Sequence, residues 1–431
     1  MPPPIRRRRA ARPEKPDDSL LGRDASRSDV NDRLCFAVKN AQQSISVVLT
    51  AASHSVRREA AIRHYALRYA ERDRGFSRIM LGLMGTFKYR GRRAAVVEND
   101  ALRVTILVEG GHIAEILDKR TGVSPLWIPS WPSIEPSNYS SSHAHLYGGP
   151  ADGPLLAGIM GHNLCLDIFG GPSDEEAVAG LTAHGEGSIV PYELDTRGNT
   201  LSAHAVFPLA SLEFERRLEL RNGSIEVTET LTNLSACDRP IGWTQHVTLG
   251  PPFLQHGSTE FRTSATRSRV FESTFGAGDY LAAGADFDWP HAPRSDGGTA
   301  DLQRFSDAPS SSAYTCHLMD RSRDNAFFVA FSASPRLGFG YVWRRRDFPW
   351  LGIWEENRSR TASPWNGNEV TRGMEFGASP FPETRRRMID RGRLFDEPTY
   401  RWIPAHRSVT VDYQIHVLEA DVIPETLGFT P

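Results

Sequence analysis

Cysteine is scarce. Four residues, Cys35, Cys165, Cys237 and Cys316, are scattered over 431 positions without a Cys-x-x-Cys pair. That spacing argues against a disulfide framework or a structural zinc site, and it is the usage expected of reduced, buried thiols in a cytoplasmic protein. Lysine is equally rare, occurring only at positions 15, 39, 88 and 119, so almost all basic charge is arginine. The arginines are dispersed, and the one compact run, "RRRRAAR" near the start, reads as a solvated tail. No nucleic-acid partner is therefore expected. No stretch approaches the ~18 apolar residues of a membrane span, and "SISVVLTAAS" is too short and too far along the chain for a signal peptide. A glycine-rich phosphate loop, a nucleophile elbow and a His-Glu-x-x-His helix are all missing.

What is present is an ordinary globular composition, 39% hydrophobic and 24% charged, able to bury a sizeable core. The net charge of −2 divides unevenly, because residues 1–83 carry 17 basic against 9 acidic side chains. Residues 1–53 are rich in Pro, Arg, Asp and Ser and are expected to be disordered. Residues 54–74, "HSVRREAAIRHYALRYAERDR", suit one marginal amphipathic helix. Together 1–83 read as a basic N-terminal extension, with Met84 a natural start for the domain that follows.

From residue 84 to 431 the pattern is β. Short alternating runs are separated by Asn-Asp, Gly-Gly and Thr-Gly, and Asn222-Gly223 suits a type I′ hairpin turn. "AFFVAFS", "LGFGYVWRR" and "WLGIWEEN" follow closely, and "RSVTVDYQIHVLEA" alternates cleanly through Val409, Val411, Tyr413, Ile415 and Val417. Many evenly spaced strands without a repeat predict one large all-β sandwich.

Polar residues concentrate in three segments. The first, around "GIMGHNLCLDIFGG" and "GLTAHGEGS", holds His162, Asn163, Asp167, His184 and Glu186. The second is "IGWTQHVTLGPPF", where Ile241, Trp243, Val247 and Leu249 share one strand face with Gln245, while Thr244, His246 and Thr248 share the other. The third, "WEENRSRTASPWNGNEVTRGMEFGASPFPE", holds Trp354, Glu355, Glu356, Trp365, Arg372 and Glu375. Indoles beside carboxylates and amides suit a sugar, which has an apolar face and a polar rim. Glu375, set between Met374 and Phe376, would be costly if buried without a partner. Glu355 and Glu356 are expected to pair with Arg358 or Arg360. His143 and His145 in "SSHAHLYGG" could bind a metal from one strand face, but no carboxylate follows at cupin spacing, so an exposed loop is expected.

These segments resemble the aldose 1-epimerase (galactose mutarotase) family over about residues 84–420. "GLTAHGEGS" looks like its His-Gly segment, "LTNLSACDRPIGWTQHVTLGPPF" like the strand bearing its catalytic histidine, and "TRGMEFGASPFPE" like the segment of its catalytic glutamate. The resemblance implies a large antiparallel β-supersandwich with a sugar as small-molecule partner and no cofactor or metal. It implies His246 as general acid, Glu375 as general base and His184 as a sugar ligand. His162 and Asn163 stand where the family has an arginine and an asparagine, and Trp354 and Arg372 complete the expected binding set, Arg372 for a phosphorylated sugar. The family's substrate aspartate has no clear counterpart among Asp286, Asp288 and Asp301. The activity implied is anomer interconversion of a hexose or a modified or phosphorylated sugar. The alternatives are a silent carbohydrate-binding or sensing protein, or a sugar isomerase or lyase using the same cleft.

Overall fold

The computed structural model describes residues 87–430. The expected extension 1–83, its helix over 54–74 and the start at Met84 lie outside those residues.

Two antiparallel sheets carry the described chain. The larger has twelve strands, and its centre runs Ile113–Asp118, His162–Asp167, Arg239–Leu249, Val370–Gly377, Trp350–Asn357, Ser311–Met319. The smaller has eight, centred on Asn325–Ser332, Leu337–Arg344, Ser408–Glu419, Ser224–Asn233 and Leu212–Arg221. The alternation that predicts these strands also predicts what they bury. Val411, Tyr413 and Ile415 from the small sheet meet Ile241, Trp243, Val247 and Leu249 from the large one in a single apolar core. Burying this hydrocarbon, at about 25 cal/mol per Å², is the main force holding the sheets face to face.

The large sheet is covered on its other face too. Loops and short helices over 124–160, 169–189 and 378–395 bring Trp127, Trp131, Leu155, Phe169 and Phe381 against Cys165, Tyr314, Cys316, Trp350 and Trp354 of the sheet, forming a second apolar cluster. Four of its central strands are therefore buried along their whole length. No helix of the described residues is long and apolar enough to cross a membrane.

One detail differs from expectation. The hairpin at Asn222-Gly223 has two turn residues, with Arg221 facing Ser224, but only Gly223 is left-handed (φ 72). A type I′ turn needs both, so the turn is of another type. His143 and His145 lie in a 3-10 turn and a short helix, Ser141–His143 and Ala144–Tyr147, on no strand at all. Among the described residues no group of His, Cys, Asp or Glu is arranged to hold a metal.

Candidate active site

Antiparallel register assembles the site on the large sheet's loop-covered face. His246 stands opposite Asn163 on one neighbouring strand and opposite Glu375 on the other. Directly cross-strand residues share a face, so the three side chains converge. His246 Nε2 lies 3.0 Å from Glu375 Oε1, and the two side chains are only 7% and 2% exposed. The expected imidazole and carboxyl are thus brought together in close polar contact. His246 Nδ1 lies 3.1 Å from Thr248 Oγ1, which fixes the ring from its other end.

Burial sets the protonation. Desolvation pushes the Glu375 carboxyl up to about 8, opposed by the neighbouring Tyr314 hydroxyl. It pulls His246 down to about 4. Each group is driven toward its uncharged form. At neutral pH the proton of the pair then resides on Glu375, beside a neutral His246. Glu375 also has a made seat, because glycines lie beneath it. A Cβ at Gly373 would fall 2.4 Å from Glu375 Oε1, and one at Gly352 would fall 3.4 Å from Oε2.

His184 reaches the same place from a turn. Its backbone is left-handed (φ 65), as is that of Gly185 (φ 74), where any Cβ would strike the Leu166 carbonyl oxygen at 2.1 Å. This close approach is why glycine follows the histidine. His184 Nδ1 lies 3.3 Å from Asn163 Oδ1, and its ring centroid is 4.8 Å from that of His246. Its ring, half-buried beside His246, is held neutral chiefly by desolvation. Trp354 stands across from Gly373 and therefore on the Glu375 face, 5.8 Å from the His246 ring.

Two donors at this site have nothing to bond. Asn163 Nδ2 and Trp354 Nε1 are buried without a hydrogen-bond partner. The contrast with other indoles is informative. Trp127, Trp131, Trp243, Trp343 and Trp350 each donate to an oxygen within 3.3 Å. A buried unpaired N–H costs about 1–3 kcal/mol, so two beside one acid–base pair mark a place where ligand oxygens fit.

Two expected ligands face elsewhere. His162 adjoins Asn163 in a strand, and adjacent strand residues point to opposite faces. Its ring lies in the sandwich core, Nε2 2.9 Å from Gln245 Oε1 and Nδ1 3.2 Å from the Tyr341 hydroxyl. That contact explains Gln245, the polar residue on an apolar face. Its amide donates to Glu229, which also receives Arg216, Trp243 and Tyr413 in a buried polar network. Arg372 is three residues from Glu375 and so also faces away. Its guanidinium donates to the carbonyls of Leu302 and Arg304 and packs over Phe261. Arg372 is a loop anchor, and no phosphate contact falls to it.

Of the two acidic neighbours, Glu356 approaches Arg360 at 3.5 Å, while Glu355 turns to the other face and accepts from Ser311. Asp286 is held by Arg269, and Asp301 accepts from the Gln303 backbone. Tyr314, whose hydroxyl neighbours Glu375, carries no signal in the sequence.

No protein-family model and no curated protein matches this sequence. Solved structures do. A candidate aldose 1-epimerase from Klebsiella pneumoniae is 14% identical, with 78% of this chain and 82% of that chain covered and a TM-score of 0.55. A candidate aldose 1-epimerase from Escherichia coli is 12% identical, with 76% and 100% covered and a TM-score of 0.52. At these identities the likeness establishes the fold: the described chain is a galactose mutarotase-like β-supersandwich.

Proposed function

We propose that the protein is an aldose 1-epimerase-type enzyme interconverting the anomers of a hexose or a modified hexose, with His246 and Glu375 exchanging the protons. The observation that carries this reading is the buried 3.0 Å contact between the two groups. Opening a pyranose requires one proton to leave the anomeric hydroxyl and another to reach the ring oxygen as the C1–O5 bond breaks. The resulting aldehyde rotates, and closure reverses the two transfers. A carboxyl and an imidazole sharing one proton supply both functions at once, and such help is typically worth about 10²–10⁴-fold. The resemblance makes His246 the donor and Glu375 the acceptor. The displaced proton affinities support the opposite resting form, with the proton on Glu375. Ring opening and closure are mirror-image transfers, so either form enters the cycle. His184, Asn163 and Trp354 would hold the sugar hydroxyls.

Exchange NMR on a panel of free aldoses tests the reading. Anomer interconversion should rise above the uncatalysed rate and vanish in His246→Ala and Glu375→Gln. The two unpaired donors, Asn163 Nδ2 and Trp354 Nε1, favour a second reading, because they call for a ligand and not for turnover. In that reading the site binds a sugar without turnover, and calorimetry would show binding while the exchange rate stays at background.

A further inference from the structure

Tyr314 belongs to the site in a way no motif announces. It lies on the Ser311–Met319 strand, across from Trp354 and hence on the Glu375 face of the sheet. The ring is 2% exposed and walled by Phe169, Phe271, Phe275 and Phe381, whose centroids are 5.2–6.3 Å away. Four aromatic neighbours leave the ring no freedom to swing, so the position of its hydroxyl is imposed by packing. That hydroxyl sits over Gly352. A Cβ built there would meet Tyr314 Oη at 2.1 Å and Glu375 Oε2 at 3.4 Å, so both oxygens converge on the bare glycine. The phenol's other neighbour, the Pro380 carbonyl, is 3.4 Å off, at the long limit of a hydrogen bond. Burial and the neighbouring carboxyl keep the phenol protonated, so it is a donor.

We propose that Tyr314 is a positioning residue. Its hydroxyl holds Glu375 by Oε2, leaving Oε1 directed at His246, and Gly352 is glycine to make room for that contact. The inference rests on the acid–base reading of the His246–Glu375 pair. A row then runs across four strands: Asn163, His246, Glu375, Gly352 with Tyr314 above it. The other titratable groups around Glu375 are His246 and the thiols of Cys165 and Cys316, and burial holds both thiols protonated.

The test uses the isosteric Tyr314→Phe change, which keeps the ring and its packing. Imidazole nitrogen shifts of His246 are followed by NMR across pH 4–10, a readout that needs no turnover. Loss of a donor to the carboxylate should move the Glu375 step about one pH unit higher, a tenfold change in proton affinity. Where wild type accelerates anomer exchange, kcat at neutral pH should fall several-fold with KM unchanged. Gly352→Ala offers an independent perturbation, because its methyl displaces the hydroxyl with Tyr314 still in place, and it should move the step in the same direction. Superimposable titrations of wild type and Tyr314→Phe would overturn the proposal, even if anomer exchange were robust. A shifted titration in a protein without any exchange activity would support the contact while removing the enzymatic reading.

Discussion

Replacing Glu375 with glutamine should make the protein more stable, and increasingly so as pH rises. The carboxyl ionises near 4.5 in an unfolded chain and at about 8 in the fold. Between those values the folded state keeps a proton that the unfolded state has lost. The stability associated with that proton is complete below pH 4.5 and declines as pH climbs toward 8. At about 1.36 kcal/mol per pH unit, the ceiling of this penalty is about 5 kcal/mol. Water entry and local relaxation reduce such penalties, so about half is the expected size. Glutamine cannot ionise, and its amide keeps the size and shape of the protonated carboxyl. Wild type and Glu375→Gln should therefore melt together near pH 4.5 and diverge by several °C at pH 8 to 8.5, at ~2 °C per kcal/mol. Urea titrations at the same pH values give the free energies directly. A difference that is absent at pH 8, or that does not vary with pH, would refute the reasoning. Glu375 would then be ionised in the fold, paired with a charged His246.

Other groups make further predictions. Burial lowers His112 and His317 to about 3 and His246 to about 4, so each is neutral in the fold and charged in the unfolded chain below pH 6.5. Their contribution is present above pH 6.5 and lost as pH falls. Set against the one proton retained by Glu375, these three contribute a slope of about 3 kcal/mol per pH unit between pH 4.5 and 6; His162 and His184, also held neutral by burial, steepen it, while the raised carboxyls of Glu186 and Glu355 oppose it, and denaturation at stepped pH measures the result. Trp354→Phe removes an N–H that the fold leaves without an acceptor. Stability should hold while sugar affinity drops about tenfold by calorimetry, the value of one hydrogen bond. Gly185→Ala forces a methyl onto the Leu166 carbonyl at φ 74, and should cost about 2–4 kcal/mol in stability and abolish anomer exchange by displacing His184. Arg372→Met should lower stability by at least about 2 kcal/mol, because two loop carbonyls lose their donor, and leave sugar affinity unchanged.

How much of this could be read from the residues depends on which ruler applies. Parity along one strand is local, and by itself it separates Thr244, His246 and Thr248 from the apolar set. The same ruler rules out His162 beside Asn163, and Arg372 beside Glu375, as partners on one face. Register is different. That Trp354 stands across from Gly373, and Tyr314 across from Trp354, follows from pairings between distant segments that no local pattern encodes. Hydropathy could not substitute, since the strands 311–319, 350–357 and 370–377 are buried on both faces and show no alternation to interpret. The second burial comes from loops over 124–160 and 169–189 packing onto the sheet, and these carry Trp127 and Trp131 far from any strand signal. That cover has a chemical consequence as well as a structural one. A histidine and a glutamate on an open sheet face would be a solvated ion pair with ordinary proton affinities. Under the loops the same two side chains become a neutral pair, and it is that desolvation, more than the identity of either residue, that displaces their proton affinities.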